Sequence, residues 1–517
     1  MGQIRLFVML VPMLVFLAAA VASLIDLETF LAFARALNTW IVTNFSVAIV
    51  WAVFGFVLTC LAVVISPLGK VKIGGPDAEP LLSKWNWFAI TLCTTIAIGI
   101  LFWAMAEPLT HMYQPGGRDI APGSEEAQRF ALVSLYMHWA VSPYAIYTVA
   151  GLTFALSYHN LGKAYSVSGP FGALFGRPIP KPVGSVLDAS ILMALIMGMA
   201  ASLGAGMLLL SGGLAEMTGR PNGPFLMAVV AGAIGLLVLI SSLSGLMRGI
   251  RILSDWNVRF FFAFVAFIFI FGPTQAILVD GGQAIGAYVL DFIPRSLFIG
   301  KASQDESWAY DWTIVYFANW LAWAPVTAMF LGRIARGYTV RIYVLMNWVF
   351  PSLFAIVWMS VFGVFALETE ASTGGALSQV MAELGIEAVI FEALKSLPGY
   401  TVMIVLLLFL SFISYVTAAD SNTEAIAEIC RQHAEGESLE AKVGGASPVL
   451  KITWVGVLVI TAWTMVAYSG VDGVRMLSNV GGLPALFIVV GLQLTLLRFM
   501  LQSEKLRAPN LALPKPA

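Results

Sequence analysis

The chain has 517 residues, 59% of them hydrophobic and only 11% charged, with a formal net charge of −1. Soluble chains carry about a quarter charged residues, so this composition excludes a soluble protein and points to an integral membrane protein with many spans. The charge balance excludes a basic nucleic-acid surface, and three cysteines without a CxxC pair, with four histidines, argue against a disulfide framework, haem attachment or a zinc cluster.

A bilayer-crossing helix needs about 20 mainly apolar residues. Twelve such runs occur, at roughly 6–24, 46–66, 86–106, 130–156, 186–210, 225–242, 258–278, 312–331, 342–366, 400–419, 452–469 and 478–499. Two amphipathic stretches, 282–298 and 375–397, are too mixed to cross lipid and read as helices lying at the surface. Ala20-Val21-Ala22 looks like a signal cleavage site, but the first run is long for a signal segment. Twenty of the 28 Lys and Arg residues fall on the side of the termini and even-numbered loops. The positive-inside bias therefore puts both ends in the cytoplasm. The loop at 420–450 and the tail at 500–517 are too short for a soluble domain.

Span three ends in Glu107-Pro108 and span eight contains Pro325. These helix breakers sit five spans apart, and an odd offset inverts topology, so spans 3–7 and 8–12 read as inverted repeats whose interrupted helices meet near the midplane. Proline is also simply tolerated in membrane helices. Span eight carries Trp312, Tyr316, Trp320 and Trp323 on one helix face. Trp312 is placed at the membrane interface, as belt tryptophans are. Trp320 and Trp323 lie deeper, where indole faces hold a quaternary ammonium through their quadrupole, at about 2 kcal/mol or more per desolvated ring. The bland alternative is helix packing. Span four repeats the theme with Tyr136, His138, Trp139, Tyr144 and Tyr147, and its Pro143 frees a carbonyl and bends the helix. His138 is a proton-relay candidate or a packing histidine. Glu107 reads as a gate or structural residue rather than a proton carrier, and Asp188 and Asp420 as caps or gate contacts.

These residues stand in strings that resemble the betaine/choline/carnitine transporter family (BCCT) over roughly residues 5–500. Phe102-Trp-Ala-Met-Ala-Glu107-Pro108 looks like its FWxxAEP. Met137-His-Trp139-Ala-Val-Ser-Pro143-Tyr144-Ala-Ile-Tyr147 is similar to its HWxxxPWAxY. Gly69–Pro80, Ser202-Leu-Gly204, Leu253–Asn257, Gly272-Pro-Thr274, Trp312-Thr-Ile, Trp320-Leu-Ala-Trp323-Ala-Pro325, Arg333–Gly337 and Thr417-Ala-Ala-Asp420-Ser421 match in order.

The resemblance implies an all-α polytopic membrane protein of twelve helices with two inverted five-helix repeats, the LeuT-like fold. It divides the chain into two N-terminal spans (1–85), a first repeat (86–280), a surface helix and linker (281–311), a second repeat (312–500) and a short cytoplasmic tail (501–517). It implies secondary transport by alternating access, no enzymatic chemistry, and a homotrimer in the plasma (bacterial inner) membrane. The solute is a small quaternary-ammonium or zwitterionic osmolyte such as glycine betaine, choline, carnitine or a sulfonium analogue. The alternatives are an amino-acid or sulfonate-like solute, or sodium-independent exchange. By motif position the aromatic box is Trp139, Tyr144, Tyr147, Trp320 and Trp323. Asn319 stands where the family has a further tryptophan, and is read as a residue that orients polar groups. The family's glycine-rich GMGIG reads Thr95-Ile-Ala-Ile-Gly99, which implies a less unwound helix.

Thr417, Ala418 and Ile96 are candidate ion or gate positions. The family's sodium members have Thr-Ser where this chain has Thr417-Ala418, and threonines where it has residues around Leu195 and Met199. Sodium wants several oxygen ligands, so coupling is expected to be to protons or to no ion. Arg259, near the place where some exchangers put an arginine, reads as a snorkelling side chain.

Overall fold

The computed structural model describes residues 4–506 apart from 97–98, 117–118, 164–165, 167, 245–246, 300–306 and 432–446. In lipid every backbone N–H and C=O must be satisfied within the chain, which leaves helices or a closed barrel. Among the described residues the extended pairings are two isolated bridges, Ile4–Arg431 and Lys72–Thr339, and the repetitive backbone is helical.

Helices α1 (Leu6–Ile25) and α2 (Leu27–Ile65) are separated by Asp26 alone, whose carboxylate caps α2 by accepting from the Thr29 amide at 3.0 Å. The second span therefore starts well before the expected 46, because Arg35, Asn38 and Asn44 interrupt the apolar run without interrupting the helix. At 1.5 Å per residue α2 is about 58 Å long, so it protrudes well beyond a ~30 Å hydrocarbon core.

The third span is two helices, α3 (Lys84–Ile96) and α4 (Gly99–Tyr113), inclined by 59°. Residues 97–98 of the Thr95–Gly99 motif, where a less unwound helix was expected, lie outside the described residues, and α4 continues through Pro108 past the expected end. The fourth span is α5 (Glu125–Trp139) and α6 (Val141–Ala155), followed by a π turn to Asn160. The short α7 (Phe171–Phe175) precedes the fifth, sixth and seventh spans, α8 (Lys181–Thr218), α9 (Pro224–Ser244) and α10 (Met247–Phe271). Gly272-Pro273 ends α10 earlier than expected, since proline cannot continue the ladder. Helix α11 (Thr274–Leu290) then runs at 111° to it and is followed by α12 (Phe292–Ser296); the expected surface stretch 282–298 falls on the end of α11 and on α12.

Helix α13 (Ser307–Ala309), a π turn over Tyr310–Ile314 and α14 (Val315–Ile334) form the eighth span. Helices α15 (Val340–Val344) and α16 (Phe350–Ser372), joined by a π turn, form the ninth. The second surface stretch is α17 (Ala376–Leu384) and α18 (Val389–Leu394). Helices α19 (Tyr400–Ile429), α20 (Pro448–Ser469) and α21 (Val471–Leu501) complete the set. Ten helices are long and apolar enough to cross a membrane, and the two bent pairs bring the number to twelve if each counts as one span.

The spans are not equivalent. Span four is 94% buried and spans five and eight 83%, whereas span one is only 22% buried and shows its apolar side chains outward. Spans four, five and eight thus form the interior. Close approach of α21 to α14 needs Gly482, where a Cβ would lie 2.5 Å from the Ala318 carbonyl oxygen. Ile4, Arg5, Arg498 and Leu506 line one cavity, so both described ends meet on one face, as an even number of crossings requires. There Arg5 pairs with Asp188 at 2.8 Å and donates to the Ile429 carbonyl at 3.2 Å, while Ser241 donates to Asp420 at 2.8 Å. The two aspartates thus make contacts between helices at the end of the bundle.

Candidate functional site

Pro143 has no N–H to offer the Trp139 carbonyl one turn back. The helix breaks there, at Ala140 (φ −113°, ψ −109°), leaving Trp139 as the last residue of α5. Its ring leans over α4 at the one position that admits it: a Cβ on Gly99 would meet Trp139 Cη2 at 2.8 Å. Gly99→Val should therefore displace the indole or strain the helix by about 1–3 kcal/mol, the usual range for overpacking. A lowered melting temperature of the purified protein, with altered tryptophan emission, would register it.

Trp320 is the hub of the aromatic cluster. Its ring lies 6.0 Å from Trp139, 5.4 Å from Tyr144 and 5.1 Å from Tyr147. All four residues are buried in the bundle interior rather than turned to lipid. The Tyr144 hydroxyl is buried beside Thr95. Two expected members stand apart. Trp323 is buried against α8, where a Cβ on Gly198 would lie 3.0 Å from its Cδ1, and no ring contact among the described residues joins it to the cluster. Asn319 points to α21, with its Oδ1 accepting from the Ser478 hydroxyl at 3.3 Å. One residue along a helix is a turn of about 100°, which separates Asn319 from the face of Trp320.

Trp312, expected at the interface, is instead buried. It packs edge-on against Trp103 at 5.4 Å, and Arg475 lies 5.1 Å over its ring. His111 and Tyr316 also pack on the indole, with ring centroids 4.6 and 6.3 Å away.

Glu107 is fully buried at the centre of a hydrogen-bond cage. Its Oε1 lies 2.6 Å from His138 Nδ1 and 3.2 Å from His111 Nε2. Its Oε2 accepts from the Trp139 indole at 2.8 Å and from the Tyr316 hydroxyl at 2.6 Å. The carboxylate thus fixes one box residue directly. Sequence reasoning named Glu107 and His138 but missed His111, whose four-residue spacing from Glu107 was the available signal. The ligand atoms of Glu107, His111 and His138 lie within 4.8 Å of one another, close enough to share a cation. The indole N–H of Trp308, a donor only, faces His111 Nδ1 at 3.1 Å. That assigns the ring proton to Nε2, which then donates to Glu107 and has no lone pair for a metal. The arrangement is a cage of donors around an anion.

At the candidate ion positions, Thr417 Oγ1 donates to the Ile413 carbonyl at 2.7 Å and Ala418 is buried. The side chain of Ile96 lies outside the described residues. Leu195 and Met199 are fully buried, and the Tyr415 hydroxyl takes up the Met199 carbonyl at 3.1 Å. Arg259 is exposed and paired with Asp255 at 2.9 Å. The cavity of about 940 Å³ on the face of the chain ends is lined by Arg5, Lys163, Arg177, Lys181, Arg498 and Lys505. Its charge suits no cation, and it shares no residue with the aromatic cluster.

A helical bundle with an aromatic cluster buried in its interior fits a solute carrier. A family model described as "BCCT, betaine/carnitine/choline family transporter" matches residues 7–505, and the chain belongs to that family. It is a multi-pass membrane transporter of small solutes, not an enzyme, and family membership brings the LeuT-like fold of inverted repeats. The chain is 29% identical over 456 residues to an ectoine/hydroxyectoine transporter of Virgibacillus pantothenticus, covering 88% of each chain. It is 30% identical over 457 residues to the glycine betaine transporter OpuD of Bacillus subtilis, covering 87% of this chain and 85% of the relative. It is 27% identical to the high-affinity choline transport protein of Escherichia coli, covering 87% of this chain and 65% of the relative.

Proposed function

We propose that this protein imports glycine betaine or a closely similar quaternary-ammonium or zwitterionic osmolyte, without sodium, by alternating access. The observation that carries the reading is the buried packing of Trp139, Tyr144 and Tyr147 around Trp320. Methylated ammonium cannot donate hydrogen bonds, so electron-rich ring faces out of water are its natural host. The Tyr144 hydroxyl, buried beside Thr95, offers a donor to the carboxylate end of a zwitterion. The names of the relatives, which point to betaine, choline and ectoine, support the same solute class and do not favour sulfonates. Trp323 and Asn319 act behind the cluster, as packing for α8 and α21.

The side chains of Ala418, Leu195 and Met199 bring no oxygen, which supports sodium independence, because sodium wants several oxygen ligands. The protein is a homotrimer of the plasma membrane with both ends cytoplasmic. The lysine and arginine bias and the meeting of the chain ends on one face support that orientation.

Counterflow in proteoliposomes tests the reading. Vesicles preloaded with glycine betaine should take up labelled glycine betaine equally well in sodium and in potassium buffers. Betaine, choline or ectoine should raise the melting temperature by mass action. If none of the three exchanges or stabilises the protein, the solute class is wrong; if exchange stops without sodium, the coupling reading is wrong.

A further inference from the structure

We infer that Glu107 and His138 form a proton-binding site, and that the proton held at His138 Nε2 is the ion co-transported with the solute. This rests on the proposed function above, because the cage reaches the solute only through Trp139. The inference starts from hydrogen positions. With His111 fixed as an Nε2–H donor by Trp308, Glu107 Oε1 receives that N–H and the Nδ1–H of His138, while Oε2 receives an indole N–H and a phenol O–H. An anion with this many donors keeps its charge. A buried charge requires a compensating one.

His138 can supply it without losing a bond. Its Nε2 lies 3.0 Å from the Thr313 hydroxyl, a group that both donates and accepts. When His138 is neutral, Nε2 accepts from Thr313. When a proton binds, a new N–H bond forms at Nε2 and donates to the same oxygen, and only the Thr313 hydroxyl rotates. His111 has no such freedom, since a second ring proton would face the Trp308 N–H. The proton site is therefore His138, with Glu107 as its counter-ion.

The charged and titratable groups around it come from α4, α12, α14, α21 and the π turn before α14. Glu107 and His111 lie on α4, and Tyr316 of α14 stacks on the His138 ring at 4.8 Å. Asp311 lies on the π turn that leads into α14. Arg295 of α12 acts on His111 from above Phe130, and Arg475 of α21 acts on Tyr316 from above Trp312. Glu107, His111 and His138 are all 0% exposed. A proton held there leaves only when the bundle opens, which is what coupling demands. Its state reaches Trp139 of the aromatic cluster through the Glu107–Trp139 bond and through Tyr316, which stacks on His138 and packs 5.2 Å from Trp139.

Two readouts test the inference separately from the choice of solute. First, tryptophan emission of the ligand-free protein is titrated from pH 5 to 9. The wild type should show a transition that is absent in His138→Gln and retained in His111→Gln. Second, proteoliposomes with an alkaline interior should concentrate labelled glycine betaine in sodium-free buffer, and a protonophore should collapse the gradient. His138→Gln should lower this accumulation at least tenfold more than it lowers counterflow. An emission transition unchanged in His138→Gln overturns the site even if no solute is transported. Counterflow without protonophore-sensitive accumulation in the wild type overturns the coupling while leaving the solute reading intact.

Discussion

Replacing Trp320 by alanine should lower uptake of the true solute by about a hundredfold, the largest loss of any single ring. Trp320 touches Trp139, Tyr144 and Tyr147, and so is the common ring neighbour of all three. At the proposed site, deleting it removes one desolvated ring face for the cation, about 2 kcal/mol. It also leaves three rings without their common neighbour, so they repack and the remaining faces lose their alignment. Together these correspond to roughly 3 kcal/mol, or two powers of ten. Trp320→Phe keeps a smaller face in the same place and should lose about tenfold. Trp323→Ala should also lower uptake by more than tenfold, through a cavity against α8 rather than a lost ring face. Initial rates at subsaturating solute, with membrane protein levels matched, measure all three. Trp320→Ala indistinguishable from Trp320→Phe would remove the ring quadrupole from the explanation.

The helices were legible because lipid leaves the chain so little choice. Apolar length alone marks spans five, eight and twelve, and the charge alternation fixes the even count. What composition hides is where a helix continues through polar residues or stops inside apolar ones. Helix α2 runs through Arg35 and Asn38 because a protruding helix end can be wet, and Gly99 leaves room on α4 for the Trp139 ring of another helix. The motif residues were also legible, but not their facing. Trp320 and Trp323 share a stripe in sequence, yet one turn of α14 divides them between two neighbours. The donors around Glu107 come from α4, α5 and α14, and Trp308 of α13 sets the tautomer of His111. No local pattern brings those four elements together, although His111 at one turn from Glu107 was a clue within reach.

Glu107→Gln should be the most destabilising single-atom exchange in the protein, by at least about 3 kcal/mol, the range for removing one partner of a buried ionic network. The substitution is nearly isosteric, so the loss cannot be assigned to a cavity. It replaces one acceptor oxygen by an NH2 group in a cage whose other members are donors: His111, His138, Trp139 and Tyr316. Whichever way the amide turns, an N–H faces an N–H or an O–H, and a buried unsatisfied donor costs about 1–3 kcal/mol. Because Trp139 is held by the same carboxylate, solute affinity should fall with stability. Trp139→Phe removes the indole donor and keeps a ring, so the double variant should lose less than the sum of the two single losses. Melting temperatures for this cycle, measured in one detergent at one pH, give the coupling between the two residues. A coupling of zero would mean that the Glu107–Trp139 bond does not position the indole, and that the cage and the aromatic cluster act independently.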